Sequence, residues 1–135
     1  MHRLCEKLSK ELELEQEITF LDFVPNEMLP ALYKEAAVFI MPSFYEGFGL
    51  PLLEAMVYGT PVIGSNVSSI PEVVGDAGLL CDPADPRDIA AKMRFLIADK
   101  DEMQKYSQLG YLRVEKFSWK SMAEKTINVY KKCLA

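Results

Sequence analysis

The residues best suited to chemistry stand in a short loop, Ser43–Gly49, and in the helix predicted directly after it. We name this segment the glycine loop. It contains Glu46, and Glu54 follows about one turn into the helix. Helical side chains tilt back towards the start of their helix, so both carboxylates could accept hydrogen bonds from the hydroxyls of one polyol. The pair therefore predicts a site for a polyhydroxylated ligand.

The two glycines of the loop indicate a phosphate-binding turn. Gly47 and Gly49 bracket Phe48 immediately before the helix. Because glycine has no Cβ, the backbone there can approach a ligand closely. The amides of Phe48, Gly49, Leu50 and Leu52 would point outward at the helix start, where the helix dipole favours an anion. A diphosphate would fit this position.

The spacing of the two glutamates carries no information by itself. Glu27 and Glu35 have the same spacing, yet they lie on what the pattern predicts to be an ordinary exposed helix. From the residues alone, a glycine-rich turn that merely starts a helix therefore remains an alternative to a phosphate site.

The composition indicates one folded domain without a polyanionic partner. Of 135 residues, 50% are hydrophobic and 26% charged, and no repeat, linker or low-complexity segment is present. One domain over residues 1–135 is therefore expected. The net charge of −5 argues against a nucleic-acid partner. No run of about 20 apolar residues and no signal-peptide pattern occurs, so we expect a cytoplasmic location.

Histidine and cysteine chemistry is nearly excluded by the residue counts. The one histidine is His2, and the three cysteines, Cys5, Cys81 and Cys133, are far apart in sequence. Histidine-dependent nucleophilic catalysis and a metal site are therefore not expected. The chemistry must then depend on carboxylates, backbone amides and helix ends, without a metal or a cofactor.

Predicted strands and helices alternate along the chain. A run of β-branched and aromatic residues predicts a strand at Ile18–Val24, and short apolar runs predict strands at Ala37–Met41, Pro61–Gly64 and Gly78–Cys81. Apolar periodicity and capping residues predict helices over Arg3–Glu17, Glu27–Glu35 capped by Asn26, Leu50–Tyr58, Pro71–Val74, a helix from Pro86 capped by Asp85, Asp101–Glu115, and Trp119–Leu134 capped by Ser118. The alternation predicts the α/β class, with a Rossmann-like parallel sheet covered by helices on both faces. Ligands bind at the carboxyl ends of such strands, where the glycine loop and the loop Ser65–Ser69 lie.

A long stretch of the chain resembles a known family. Residues Pro42–Met56, followed by Gly59–Ile63, strongly resemble the group 1 glycosyltransferases, which are retaining, nucleotide-sugar-dependent enzymes of the GT-B fold. Pro71–Leu80 and Phe117–Trp119 also match phrases that recur in this family. The resemblance covers essentially all of the chain after the first helix.

The resemblance implies roles for the matching residues. Glu46 would be the catalytic carboxylate that contacts the donor sugar or the charge developing at its anomeric carbon. Glu54 would hold the ribose hydroxyls of the nucleotide. The donor-binding positions implied are Gly47, Phe48, Gly49, Leu50 and Glu54. Phe23 and Val24 are candidates for the base side, and the donor is a substrate that needs no metal.

The resemblance also implies that parts of the enzyme lie outside this chain. Family members enclose the active site between two Rossmann-like domains, and the amino-terminal domain binds the acceptor. That domain has no counterpart here, nor do the first two strands of the nucleotide domain with their diphosphate ligands. We therefore expect a truncated GT-B C-terminal domain that is inactive alone. Any membrane association would be peripheral and would occur through the missing acceptor domain.

The absence of the first two strands affects how the remaining strands can pair. The resemblance implies the strand order 3-2-1-4-5-6, and loss of strands 1 and 2 separates Ile18–Val24 from Ala37–Met41. Either the four remaining strands close into a small sheet, or an exposed edge pairs with a second copy to give a homo-oligomer.

Two other interpretations remain at this stage. The chain could be a non-catalytic interaction module or structural remnant on the same scaffold, with Glu46 and Glu54 as relics. It could also be a flavodoxin-like phosphate binder, which is disfavoured because no loop rich in serine and threonine follows the first predicted strand. The sequence leaves the sugar, the nucleotide and the acceptor open.

Overall fold

A parallel sheet of three strands forms the centre of the molecule. A computed structural model describes residues 2–134, except for the side chain of His2. The strands are β1 (Phe39–Met41), β2 (Val62–Ser65) and β3 (Leu79–Cys81), and they are hydrogen-bonded in that order. Both pairings are parallel, with Phe39 opposite Val62 and Ile63 opposite Leu79. The predicted α/β class is confirmed.

Seven helices accompany the sheet within the described residues. They are α1 (His2–Glu11), α2 (Leu29–Glu35), α3 (Leu50–Val57), α4 (Ile70–Val74), α5 (Pro86–Ala98), α6 (Lys100–Val114) and α7 (Trp119–Cys133). None of these helices is long and apolar enough to cross a membrane.

Two predicted helix caps are present. The Asp85 carboxylate accepts a hydrogen bond from the Arg87 amide at 2.9 Å, and the Ser118 hydroxyl accepts one from the Ser121 amide at 3.0 Å. Each bond satisfies an amide that has no partner within the helix. The boundaries of α5 and α7 therefore follow from local chemistry.

The core lies on both faces of β2. Val62 belongs to a buried cluster with Leu52 of α3 and Val73 of α4. Ile63 points to the opposite face and packs with Cys81 and with Leu96 of α5. Successive strand residues face opposite sides, so a strand that is buried along its whole length requires cover on both. Helices on both faces of the sheet, as predicted, supply that cover.

The strand predicted at Ile18–Val24 is wrong. This segment is irregular, and Phe23 is 85% exposed. A strand is stabilised by pairing and by cross-strand packing rather than by composition alone. No described strand pairs with this segment, so its β-branched and aromatic residues do not produce one. The sheet consequently has three strands rather than four.

The first two helices are shorter than predicted. The helix expected over Arg3–Glu17 ends at Glu11, and Glu13 then adopts a left-handed φ of 57°. Asn26 does not cap α2, because a turn in which the Met28 amide donates to the Pro25 carbonyl intervenes. The helix therefore begins three residues after Asn26, at Leu29.

The sheet has two edge strands, β1 and β3, and the edge at β1 is the one where the family resemblance places the missing strands. β1 pairs with β2, and no strand within residues 2–134 pairs with the other side of β1. The alternative in which four strands close into one sheet is therefore incorrect. Pairing of this edge with a second copy stays a prediction.

Replacing Gly78 by alanine tests how tightly β3 packs against β2. The added Cβ would lie 2.6 Å from Val62 Cγ2 and 2.7 Å from the Val62 carbonyl oxygen. The carbonyl oxygen belongs to the backbone and cannot rotate away. We expect Gly78→Ala to lower the free energy of unfolding by about 2 kcal/mol or more, as measured by chemical denaturation.

Gly47→Ala is the matched control, because a Cβ added there meets no atom within 4 Å. Equal loss of stability in the two variants would contradict the packing described here.

Candidate functional site at the glycine loop

The glycine loop connects the end of β1 to the start of α3. Gly49 immediately precedes α3 and has a left-handed conformation, with φ 102° and ψ 41°. A Cβ at this position would lie 2.7 Å from Ile70 Cδ1. Both conformation and space therefore require glycine at position 49. At Gly47, by contrast, the missing Cβ leaves open space.

A row of backbone amides at this loop has no acceptor in the protein. The amides of Gly47, Phe48, Gly49 and Leu50 donate to no group within the part of the chain that the structure describes. The prediction for Leu52 is wrong, because its amide donates to the Gly49 carbonyl at 3.1 Å within the first turn. The first turn of α3 carries no acidic side chain. Unpaired amides at a helix start, together with the helix dipole, form a site suited to an anion.

Two serines from the loop after β2 bind the glycine loop. The Ser68 hydroxyl donates to the Glu46 carbonyl at 2.8 Å and accepts from the Glu46 amide at 3.2 Å. The Ser69 hydroxyl donates to the Glu46 carbonyl at 2.9 Å and to the Phe48 carbonyl at 3.1 Å. These four contacts join two loops that follow neighbouring strands.

The two carboxylates differ in their surroundings. Glu46 is half-buried, and its carboxylate has no hydrogen-bond or ion-pair partner among residues 2–134. Glu54 lies on α3, is exposed, and accepts a hydrogen bond at 3.0 Å from the Tyr33 hydroxyl. Glu46 is therefore available to a ligand, whereas one oxygen of Glu54 is already held.

Tyr33 fixes α2 against the start of the site. Its ring stacks on Tyr58 at 6.0 Å and meets Phe39 edge-on at 5.4 Å. Its carbonyl accepts a hydrogen bond from the Thr60 hydroxyl. Burial, the hydrogen bond to Glu54 and the charge of Glu54 raise the pKa of Tyr33 to about 12. The hydroxyl therefore keeps its proton at neutral pH and remains a donor to Glu54.

The aromatic residue of the loop packs against the carboxyl-terminal part of the chain. Phe48 meets Phe117 edge-on at 5.8 Å, and the Arg113 guanidinium lies 5.2 Å from the centre of the Phe117 ring. Arg113 also donates to the Val73 carbonyl at 2.9 Å and to the Glu72 carbonyl. The loop and the end of α4 are thus held by one connected group of side chains.

The candidates for the base side lie outside this assembly. Phe23 and Val24 belong to the irregular segment before α2, with Phe23 exposed and Val24 half-buried. No hydrogen bond or ring contact in the described part of the chain joins them to the glycine loop. A role for them in base binding stays a prediction. Residues 2–134 also contain no group of three or more His, Cys, Asp or Glu that could hold a metal.

Three residues of this site were not identified as ligand-supporting residues from the sequence. Tyr33, Ser68 and Ser69 act through contacts with residues more than twenty positions away. The sequence signal was limited to the Ser65–Ser69 loop following a predicted strand. Nothing in the pattern around Tyr33 indicates a contact with Glu54.

Comparisons with known proteins agree in family and fold. The family model described as glycosyl transferases group 1 matches residues 3–113. O-antigen chain mannosyltransferase B of Escherichia coli is 49% identical over 114 residues, which are 84% of this chain and 30% of that protein. MMP alpha-(1->4)-mannosyltransferase of Mycolicibacterium hassiacum is 40% identical over 134 residues, which are 96% of this chain and 33% of that protein.

A solved structure agrees as well. The sucrose-phosphate synthase from Thermosynechococcus elongatus matches with a TM-score of 0.86 and 32% identity, over 98% of this chain and 34% of its own. The chain thus spans about a third of the length of the proteins it matches.

Tyr33→Phe tests the burial of the Tyr33 hydroxyl together with its bond to Glu54, through the pH dependence of stability. The folded-state pKa of about 12 lies above the ordinary value of 10.0, so the protonated phenol stabilises the fold. This contribution is complete below pH 10 and is lost as the pH rises to 12. We expect the stability difference between wild type and Tyr33→Phe to be constant below pH 10 and to shrink above it, as measured by urea unfolding.

Tyr130→Phe, at an exposed position on α7, is the matched control for the loss of one phenol. A wild-type to Tyr33→Phe difference that stayed constant across the alkaline range would contradict the assigned bond.

Proposed function

The chain belongs to the group 1 glycosyl transferases, and on that basis we propose that it is the donor-binding domain of a retaining sugar transferase. The observation that carries this proposal is the row of unpaired amides at Gly47–Leu50 beside the unpartnered carboxylate of Glu46. In the proposal, residues 1–135 form the nucleotide-sugar-binding part of a two-domain GT-B enzyme. The acceptor-binding domain lies outside this chain, which alone transfers nothing.

The diphosphate of the donor binds at the start of α3. The amides of Gly47, Phe48, Gly49 and Leu50 supply donors, and the helix dipole adds a favourable field. The open space beside Gly47 lets the diphosphate reach the backbone. The diphosphate is also the leaving group, so donors fixed in advance stabilise the charge that it gains during the reaction.

Glu54 binds the ribose of the nucleotide. Its carboxylate lies one turn into α3, and Tyr33 holds one of its oxygens at 3.0 Å. The remaining acceptor sites can receive the ribose hydroxyls, since an ionised carboxylate has about four lone-pair directions. The Tyr33 bond limits the rotation of Glu54 and prepares it for the ligand.

Glu46 stabilises the sugar at the moment of transfer. When the bond between the anomeric carbon and the diphosphate oxygen breaks, positive charge develops on the ring. A carboxylate near the ring stabilises that charge while the amides receive the negative diphosphate. Retention then requires the acceptor oxygen to bond on the face from which the diphosphate departs.

The donor that we propose is a hexosyl nucleotide. Two relatives with 49% and 40% identity are named mannosyltransferases, which favours a mannosyl group. Uridine and guanosine diphosphates are both candidates for the leaving nucleotide. The side chains around Glu46 would decide between sugars, and the domain outside this chain would choose the acceptor.

A second candidate function is a non-catalytic module or structural remnant on the same scaffold. The open edge of β1 favours it, because an unpaired edge is a ready template for another chain. In that case the glycine loop would bind no nucleotide. The following binding measurements distinguish the two functions.

Glu54→Ala should weaken nucleotide diphosphate binding by about 10-fold or more, because a charged acceptor for two hydroxyls is lost. Calorimetric titrations with uridine and guanosine diphosphates measure the effect. Glu35→Ala is the control, since Glu27 and Glu35 repeat the spacing of Glu46 and Glu54 outside the site. Equal binding by wild type and Glu54→Ala would refute the ribose assignment, and absence of binding by wild type would favour the remnant.

Glu46→Gln should separate sugar binding from nucleotide binding. Because Glu46 faces the sugar in this proposal, affinity for the nucleotide diphosphate should stay within about 2-fold. The additional affinity for the matching nucleotide sugar should fall by about 10-fold, since a charged hydrogen bond is lost. Competition titrations with UDP-glucose and GDP-mannose measure the difference, and an equal loss for both ligand types would contradict the role of Glu46.

A further inference from the structure

Ser68 holds an unfavourable backbone conformation. Its φ is 60°, in the left-handed region that favours glycine. In that conformation its hydroxyl both donates to the carbonyl and accepts from the amide of Glu46. Strain at a non-glycine residue persists only when surrounding contacts impose it. The hydrogen bonds of the Ser68 hydroxyl are with the glycine loop, so we infer that these contacts hold Ser68 in its strained conformation.

Ser69 gives up a local hydrogen bond for the same loop. It is the residue that precedes α4, where serine ordinarily caps the helix with its hydroxyl. In this structure the Ser69 side chain makes no cap bond, and its backbone is helical rather than extended. The hydroxyl instead donates to the carbonyls of Glu46 and Phe48. Ser68 thus has a strained backbone and Ser69 makes no cap bond, and both hydroxyls bind the same short segment.

Because the peptide group is planar, contacts that fix a carbonyl also fix the direction of the next residue's amide. In a trans peptide, the carbonyl of one residue and the amide N–H of the next point in opposite directions. The Glu46 carbonyl shares its plane with the Gly47 amide, and the Phe48 carbonyl shares its plane with the Gly49 amide. Serines that hold these carbonyls on one side therefore direct the Gly47 and Gly49 amides to the other side.

We propose that Ser68 and Ser69 are positioning residues that aim the Gly47 and Gly49 amides at the donor diphosphate. This inference rests on the proposed function, because it concerns the same anion site. The glycines of the loop give its backbone access to more conformations than other residues would. The orientation must therefore be imposed from outside the loop, and the two hydroxyls impose it. Donors held in advance bind a developing charge better than mobile ones do.

Three substitutions test the proposal by binding. Ser68→Ala, Ser68→Gly and Ser69→Ala each remove a hydroxyl, and each should weaken uridine or guanosine diphosphate binding by about 3- to 10-fold. Ser9→Ala is the matched control: its hydroxyl donates to the Glu6 carbonyl at 2.9 Å on α1, and its loss should leave binding within about 2-fold. Calorimetric titration of the 135-residue chain measures all four variants.

The two variants at position 68 separate positioning from stability. Glycine accepts the left-handed conformation and alanine does not, so Ser68→Gly should melt at a higher temperature than Ser68→Ala. Both have lost the hydroxyl and should lose affinity equally. Affinity that instead follows melting temperature, with Ser68→Gly binding like wild type, would overturn the proposal.

Backbone relaxation measured by NMR provides a readout without ligand. In wild type the Gly47 and Gly49 amides should have order parameters near the rigid value of about 0.85, and each serine substitution should lower them below about 0.7. Unchanged order parameters in all three variants would overturn the positioning role. If wild type bound neither nucleotide, the proposed function would fail for this chain, while the order parameters would still decide whether the serines orient the loop.

Discussion

The site depends on the packing of Ile70 against backbone that carries no side chain. Ile70 is fully buried, and a Cβ on Gly49 or on Gly64 would lie 2.7 Å or 2.5 Å from its side chain. One isoleucine therefore touches the glycine loop and the central strand together. This contact sets the distance between α4, β2 and the loop, and it is possible only where two glycines face it. Protein interiors are packed too densely to absorb an added methyl group there.

The short helix α4 supports the candidate anion site through contacts near both of its ends. Its first residue, Ile70, supports Gly49, and Ser69 directly before it holds two carbonyls of the loop. Its last carbonyls are bound by Arg113, whose guanidinium lies against Phe117. Phe117 in turn packs against Phe48, which connects these contacts back to the glycine loop. Side chains from the residues before α4 and from the carboxyl-terminal part of the chain thus hold the loop, and its amides from Gly47 to Leu50 stay unpaired within the described residues.

The three-stranded sheet supports the candidate anion site, because each element that forms this site follows or covers β1 or β2. The glycine loop follows β1, the loop that carries Ser68 and Ser69 follows β2, and the buried faces of β2 are covered by helices from this chain. The segment at positions 18–24 lacks such support, and it is irregular and exposed. The part of the proposed diphosphate site that lies in this chain therefore rests on contacts between described elements, whereas the predicted base side lies in a segment without a described pairing partner.

Local chemistry in the sequence determined the α/β class, the three strands that form the sheet, the caps of α5 and α7, and the glycine loop at a helix start. These features depend on neighbours within a few residues, so periodicity, proline, glycine and capping patterns are sufficient to predict them. The family resemblance added roles for Glu46 and Glu54. Only the tertiary structure decided that Ile18–Val24 forms no strand, that Tyr33 holds Glu54, and that two serines hold the loop. The physical reason is distance along the chain: strand pairing and these hydrogen bonds require partners that only folding brings together.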